Sequence, residues 1–142
     1  MILEWLSDSV YSIREHAMST LKELGFIFGA AWIEKNIIPK LTGFESAESY
    51  MYRQIPLIAF RIMAPSLSVD IYQENVFPLL STYATDSVIN IRMNVSRVIL
   101  SFAPKLKGTD AEEKTVSLLN ALKNDTEFDV CYYAKQAIKK FG

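Results

Sequence analysis

A short pattern in the sequence recurs with a fixed period of 39 residues. The positions that mark the four copies are Arg14, Arg53, Arg92 and Cys131. A second marker keeps the same step, because Pro39 ends an Ile-Ile-Pro run and Pro78 ends a Val-Phe-Pro run. A period near forty is typical of arrays in which one supersecondary unit is copied and each copy buries its apolar face on the next. The period therefore predicts a repeat architecture.

Each copy has the apolar spacing of two helices. One helical face is predicted between Ser9 and Phe28 from apolar residues at steps of three or four: Val10, Ile13, Ala17, Leu21, Leu24 and Phe28. No stretch alternates for long enough to predict a strand. We therefore expect an all-α, α-α superhelix of about three and a half antiparallel helix pairs. The expected units of this single solenoid are 1–29 (truncated at its front), 30–68, 69–108 and 109–142.

Polar residues and glycines predict where these helices begin and end. The second helix of a unit is expected to be capped by an aspartate at its start, namely Asp8, Asp86 and Asp125. Gly29 and Gly108 are expected to end helices. The first helices are expected over 31–42, 71–83 and 111–122, with capping boxes formed by Asp70 with Gln73 and by Asp110 with Glu113.

Three prolines fall within predicted helices. Pro39 and Pro78 are expected to lie inside the first helices of their units and to bend them, because proline removes one backbone hydrogen bond. Pro56 is expected to distort the second helix of the second unit.

Composition excludes several classes of protein. The chain is 50% hydrophobic and its net charge is −1, which lacks the basic excess of a nucleic-acid binder. The one cysteine indicates a reducing compartment, so we expect a cytoplasmic location, extending to the nucleus. The front of the chain has no basic signal region, and its uncharged run from Leu24 to Ile33 is too short to cross a membrane. We expect no nucleic-acid and no membrane partner.

Nothing in the sequence indicates catalysis. His16 has no second ligand at metal-binding spacing, and Cys131 has no activating base nearby. No phosphate-binding glycine loop or hydrolase motif is present. We expect a protein without catalytic residues, metal or cofactor.

The marked residues resemble HEAT repeats, in which a proline in the first helix precedes an arginine in the second. More specifically, five runs resemble the scaffold (A, regulatory) subunit of the type-2A serine/threonine protein phosphatase, in the register of its C-terminal repeats. These runs are 10–17, 29–32, 37–40, 88–95 and 129–137. The resemblance implies a non-enzymatic scaffold whose intra-repeat turns form a ridge that docks the phosphatase catalytic subunit. It also implies a further partner, a regulatory B-type subunit that binds through N-terminal repeats lacking in this sequence.

Carried to this chain, the resemblance places the docking ridge at the turns 7–14, 46–53, 84–92 and 124–131. The expected docking residues are Tyr11, Tyr50, Met51, Arg53, Val88, Ile89, Asn90 and Phe128. A structural ladder that bridges neighbouring turns is expected from Asp8, Arg14, Asp86, Arg92 and Asp125. Two departures from the family pattern are Ala47, in place of an aspartate, and Cys131, in place of an arginine. Because its own turn lacks the acid, Arg53 is expected to contact a partner.

Other interpretations fit the same residues. Tyr11, Tyr50 and Phe128 also suit simple packing at helix ends. A generic HEAT module that binds proteins or transport cargo fits the same pattern, whereas a HEAT-like DNA glycosylase would need a basic face with an acidic site. Ile2, Leu3 and Trp5 are expected to form exposed apolar surface unless another unit covers them.

Overall fold

The computed structural model describes residues 2–142, and every regular element within that range is helical. The chain divides into two compact units, Met1–Ser68 and Val69–Gly142, each of which contains two of the predicted repeats. From here on, the first unit and the second unit mean these two parts of the chain. The division lies at the boundary predicted between the second and third repeats. The expectation of one continuous solenoid over 1–142 stays a prediction.

In the first unit, the long helix α2 packs against α4, and the short helices lie beside them. The elements are α1 (Ile2–Trp5), α2 (Tyr11–Asn36), α3 (Ile38–Thr42), α4 (Tyr50–Met63) and a 3-10 turn (Ala64–Ser66). Apolar side chains from each element are buried here, among them Leu6, Leu21, Leu41, Ile55 and Met63.

Helix α2 is interrupted at Gly29. The backbone of Gly29 has φ 80° and ψ 178°, a conformation that essentially only glycine adopts because it has no Cβ. The first half of α2 therefore ends at the predicted position, and the chain resumes as a helix directly afterwards. The helix predicted over 31–42 is also divided, since α2 ends at Asn36 and α3 begins at Ile38.

The placement of Pro39 and Pro78 differs from the prediction. Both lie in the first turn of a short helix and not within a continuous one. Pro39 follows the break at Ile37, and Pro78 follows a π-helical turn (Tyr72–Val76). Proline has no N–H to donate, and its ring clashes with the preceding turn, so the backbone hydrogen bonds of the helix are interrupted before each proline. A new helix begins there. By contrast, α4 continues through the buried Pro56 to Met63.

In the second unit, α7 packs against α6, α8 and α9. The helices are α5 (Val69–Ile71), α6 (Phe77–Tyr83), α7 (Ile89–Leu106), α8 (Ala111–Leu122) and α9 (Phe128–Lys139), with the π turn between α5 and α6. Tyr72 is fully buried in this unit, 5.0 Å from the ring of Phe102 between centroids. Its hydroxyl forms a hydrogen bond of 2.9 Å with the buried hydroxyl of Thr115.

The predicted caps are wrong in their details. The N-cap residues of α2, α7 and α9 are Val10, Val88 and Glu127, two residues after the expected aspartates. Asp70 lies inside α5, and Asp110 makes no capping hydrogen bond with its side chain. Before α8, the Thr109 hydroxyl accepts from the Ala111 N–H, and Glu112 accepts from the Gly108 N–H. Asp110 is the N-cap residue of α8, as predicted, but the side-chain bonds come from Thr109 and Glu112 and not from the predicted pair of Asp110 with Glu113. Gly108, at φ 80°, follows the end of α7 as expected.

The expected apolar surface at the front of the chain is only partly present. Leu3 is buried and Ile2 is half-buried, because α1 packs against α2 and α4. Trp5 remains 46% exposed. The exposed part of this surface therefore centres on Trp5.

Candidate protein-docking site

Three of the four turns that precede a second helix are closed by an aspartate. The carboxylate of Asp8 accepts the N–H of Val10 at 2.8 Å. The same two-residue step joins Asp86 to the Val88 N–H and Asp125 to the Glu127 N–H, each at 2.9 Å. These aspartates thus form Asx turns that orient the chain before the helix begins.

The repeat-marking arginines fold back onto their own turns. The Nη1 of Arg14 donates to the Asp8 carbonyl oxygen at 2.7 Å, and that of Arg92 donates to the Asp86 carbonyl at 2.7 Å. Arg53 donates to the carbonyls of Ala47 and Glu48 at 3.0 and 2.6 Å. At the fourth copy, the Cys131 thiol donates to the Asp125 carbonyl at 2.8 Å. The thiol therefore keeps the bond that the arginines make to the carbonyl six residues earlier.

Within the second unit, Arg92 also bridges two turns. Its Nε and Nη2 donate to the two carboxylate oxygens of Asp125 at 2.8 and 3.2 Å, and both side chains are only 14% exposed. Burial alone would raise the pKa of Asp125. The hydrogen bonds from Arg92 and from the backbone of Glu127, together with the Arg92 charge, outweigh burial and hold this pKa below its usual value. The carboxylate therefore stays ionised and binds both turns together.

Arg14 lacks this second interaction. The acid that Arg92 binds lies 33 residues further along the chain, and the same step from Arg14 reaches Ala47. Among residues 2–142, Arg14 contacts no carboxylate and instead lies over the ring of Tyr11, 5.6 Å from its centroid. The expected bridge from Arg14 to a neighbouring turn is therefore absent. In the one pair that the second unit shows, Arg92 binds the acid of the following turn, and the same step makes Ala47 the counterpart of Arg14.

Restoring the acid is expected to stabilise the first unit. In the Ala47→Asp variant the new carboxylate should meet Arg14 as Asp125 meets Arg92, raising the free energy of unfolding by about 1 kcal/mol. Urea denaturation measures this change. The gain should vanish when Arg14 is also replaced by Gln, and an equal gain in both backgrounds would show that Arg14 is not the partner.

The first residues of the second helices present large side chains to solvent. Phe128 is 78% and Tyr11 is 64% exposed, and Tyr50, Met51, Ile89 and Asn90 are also exposed. Val88 and Arg53 are half-buried. The predicted docking residues thus lie at the turns, in each unit separately. In the second unit the Arg92–Asp125 pair links the turns that carry Ile89 and Phe128.

Two exposed aromatic residues at or beside these turns, Tyr52 and Tyr132, were not predicted as docking residues from the sequence. Tyr132 lies one helical turn after Phe128 and stacks on it, with 6.3 Å between ring centroids. Tyr52 stacks on Phe44 at 6.1 Å and is also exposed. The four-residue spacing of Phe128 and Tyr132 was a usable signal, because residues so spaced are neighbours on a helix.

The charges around Tyr11 affect its hydroxyl. A hydrogen bond with Glu15, together with the negative charge of that side chain, raises the pKa of Tyr11 above its usual value. Like any phenol, Tyr11 is neutral at physiological pH, and its apolar ring with a polar tip suits a protein interface.

The part of the chain that the structure describes contains no group of His, Cys, Asp or Glu side chains arranged to hold a metal ion. None of the helices within residues 2–142 combines the length and apolar character needed to cross a bilayer.

Comparison of the sequence with curated proteins gives two relatives, both described as the regulatory A subunit of protein phosphatase PP2A. The chain is 38% identical over 125 residues to the one from Saccharomyces cerevisiae, an alignment that covers 82% of this chain and 20% of that protein. It is 35% identical over 72 residues to the one from Schizosaccharomyces pombe, covering 51% of this chain and 12% of that protein. The chain thus spans a minor part of the length of both. No protein-family model matches the sequence.

Solved structures with a similar fold are designed armadillo repeat proteins. One of them, in complex with the peptide (KR)4, matches with a TM-score of 0.63 and 16% identity over 99% of this chain and 63% of that chain. Another matches with a TM-score of 0.58 and 15% identity, over the same shares of the two chains. At these identities the likeness shows the fold alone, and it confirms the predicted all-α, α-α solenoid class.

Proposed function

Because the chain is a HEAT-repeat relative of the PP2A regulatory A subunits, we propose that it is a non-enzymatic scaffold that docks the catalytic subunit of a type-2A protein phosphatase. The observation that carries the proposal is the sequence relationship, 38% identity over 82% of this chain, to proteins named as regulatory subunits. The docking surface is the set of turns 7–14, 46–53, 84–92 and 124–131, called the ridge below.

The composition of the ridge supports this assignment. Aromatic residues, methionine and arginine are the residue types enriched where protein interfaces concentrate their binding energy. The ridge carries Tyr11, Tyr50 and Phe128 as exposed rings, together with the exposed Met51. Such rings bury much area while few rotatable bonds become fixed, so each contributes to binding at a small entropic cost.

The hydrogen bonds of the turns also support docking at the ridge. The Asx turns at Asp8, Asp86 and Asp125 fix the backbone directly before the exposed residues. Arg92 binds one turn through the Asp86 carbonyl and the next through the Asp125 carboxylate. A side chain that starts from a fixed backbone loses less freedom when a partner binds. The arginines therefore position the ridge, while the rings contact the partner.

A binding measurement with two matched variants tests the proposal. The chain should bind purified PP2A catalytic subunit in biolayer interferometry. The Tyr50→Ala, Phe128→Ala double variant should bind at least about tenfold more weakly, since truncating an interface anchor costs roughly 1–3 kcal/mol. Both side chains are exposed, so the fold should be unaffected, which circular dichroism would verify.

Phe26→Ala is the control, because Phe26 is of the same type and 63% exposed but lies far from the turn that begins its helix. Its affinity should equal that of the wild-type chain. Full binding by the double variant, or an equal loss of affinity in Phe26→Ala, would show that the ridge is not the docking surface. No binding by the wild-type chain would show that the PP2A catalytic subunit is not its partner.

A further inference from the structure

Helix α9 carries a stripe of aromatic and basic side chains along its exposed face. The stripe consists of Phe128, Tyr132, Lys135 and Lys139, and we call these four residues the α9 stripe. At about 100° per residue, they fall within about 60° of the helix circumference. The buried residues of α9 lie on its opposite side. The stripe begins at the ridge residue Phe128 and leads away from the turn over about 17 Å.

The first half of the α9 stripe is aromatic. Phe128 is 78% and Tyr132 is 47% exposed, and their rings stack with 6.3 Å between centroids. Tyr132 also meets the edge of the Tyr133 ring at 5.4 Å, and the Arg97 guanidinium lies 5.7 Å from the centroid of that ring. These contacts hold the exposed rings in position, which reduces the entropy that a ligand would cost on binding.

The second half of the α9 stripe is cationic. Lys135 and Lys139 are exposed, and neither forms an ion pair among residues 2–142. Their four-residue spacing places two like charges side by side, which destabilises a helix slightly. The one acid in α9, Asp129, lies about 100° around the helix from Phe128. The stripe therefore presents a positive charge that no acid of its own helix neutralises.

A further helical repeat does not suit this face of α9. The residues one, two and three periods before Lys135 are Ser96, Leu57 and Met18. Ser96 and Leu57 are buried and Met18 is half-buried, and Ser96 lies on α7, which packs against α9. The same kind of cover over Lys135 would bury an ammonium group without a partner, which is costly. The occupant of the α9 stripe must instead supply negative charge.

A short acidic protein segment fits the α9 stripe better than a lipid surface or a nucleic acid does. A helix that lies in a membrane interface buries a wide apolar face, whereas the apolar part here is two rings in a narrow stripe. Glu127 and Asp129 flank Phe128, and the net charge of the chain is −1, so a phosphate backbone would be repelled at the aromatic end.

We propose that the α9 stripe binds an acidic protein segment that carries large apolar residues at one end. The apolar residues pack on Phe128 and Tyr132, and two carboxylates pair with Lys135 and Lys139. Since exposed ion pairs are weak, the rings contribute the contact area and the lysines select for an acidic sequence. The proposal does not depend on the phosphatase assignment, and its test uses no phosphatase.

Two capped peptides test the proposal by NMR on the ¹⁵N-labelled chain. One peptide consists of two leucines followed by four glutamates, and in the other the glutamates are replaced by lysines. The glutamate peptide should shift the amide signals of residues 128–139 and leave those of α2 unchanged. Its affinity should fall severalfold between low and physiological salt, because both ion pairs are exposed. The lysine peptide should cause no such shifts.

Matched variants separate the stripe from general charge attraction. The Lys135→Gln, Lys139→Gln variant should bind the glutamate peptide about three- to tenfold more weakly, as expected for the loss of two exposed ion pairs. The control is Lys40→Gln, Lys107→Gln, which changes the net charge equally at two exposed lysines outside α9 and should bind like the wild-type chain. Tyr132→Ala should also weaken binding, and circular dichroism would verify the fold of each variant.

Three results would overturn the proposal. The first is the absence of shifts at residues 128–139 with the glutamate peptide. The second is an equal loss of affinity in the control variant, since attraction would then depend on net charge alone. The third is co-sedimentation of the chain with phosphatidylserine vesicles that the Lys135→Gln, Lys139→Gln variant abolishes, because a lipid surface would then be the occupant.

Discussion

Replacing Arg92 with alanine is expected to lower the free energy of unfolding by about 2–4 kcal/mol, because it leaves the carboxylate of Asp125 largely buried without its counter-ion. Arg92 makes three hydrogen bonds, one to the Asp86 carbonyl and two to Asp125, and it is 14% exposed. Urea denaturation of the two proteins, compared at their midpoints, measures the loss.

Arg14→Ala is the matched control for this prediction. Arg14 makes the same bond to its own turn but has no carboxylate partner within residues 2–142. Its replacement should cost about 1 kcal/mol, the contribution of one hydrogen bond. Equal losses from the two arginines would show that the Asp125 pair adds nothing to stability.

The stability that the Arg92–Asp125 pair contributes should depend on pH. A carboxyl group whose pKa is lower in the folded chain than the value of about 3.9 in the unfolded chain stabilises the fold above that value. The contribution is lost as the pH falls through the lowered pKa. The difference in stability between the wild-type chain and Arg92→Ala should therefore be full at pH 7 and shrink below pH of about 4.

Tyr72→Ala is the second change with a large expected effect, a loss of about 3–5 kcal/mol, because it removes a fully buried ring and leaves a cavity. Tyr72→Phe keeps the ring and removes only the hydroxyl that bonds with Thr115 at 2.9 Å. This milder change should cost about 1–3 kcal/mol, since the buried Thr115 hydroxyl then has no partner. Thermal and urea unfolding of both variants separate packing from the hydrogen bond.

Alkaline titration provides a further test on Tyr72. Burial raises the pKa of Tyr72 to about 12, and the bond with Thr115 offsets burial only in part. The folded chain thus favours the neutral phenol, which contributes stability below the unfolded pKa of about 10 and loses it as the pH rises toward 12. Tyr72→Phe should lack this loss, so the two proteins should approach equal stability at high pH. A constant difference between pH of about 8 and about 11.5 would contradict the assignment.

The repeat period was sufficient to predict the main helices and the interruption at Gly29. The helices follow from the spacing of apolar residues along the chain, and the interruption follows from the conformational freedom of one glycine. The caps were predicted at the wrong residues because an aspartate before a helix can either cap it or close an Asx turn two residues earlier. The sequence contains the aspartate in both cases, and only the backbone geometry distinguishes them.

The arginines show a second limit of sequence reasoning. A period of 39 residues places each arginine in its repeat but does not give the direction of the side chain. Arg92 binds Asp125, which lies 33 residues further along the chain. The same step from Arg14 reaches Ala47, so the acid missing at this position affects Arg14, whereas the sequence suggested an effect on Arg53. The burial of Leu3 was likewise not predictable, because it depends on how α1 packs against α4.

Hydrogen exchange of the chain with and without PP2A catalytic subunit tests most directly whether the ridge is the docking surface. We expect slower exchange in the turns 46–53, 84–92 and 124–131 when the catalytic subunit is present, and unchanged exchange at the opposite helix ends, 24–32 and 103–110. Slower exchange at those opposite ends with unchanged turns would contradict docking at the ridge.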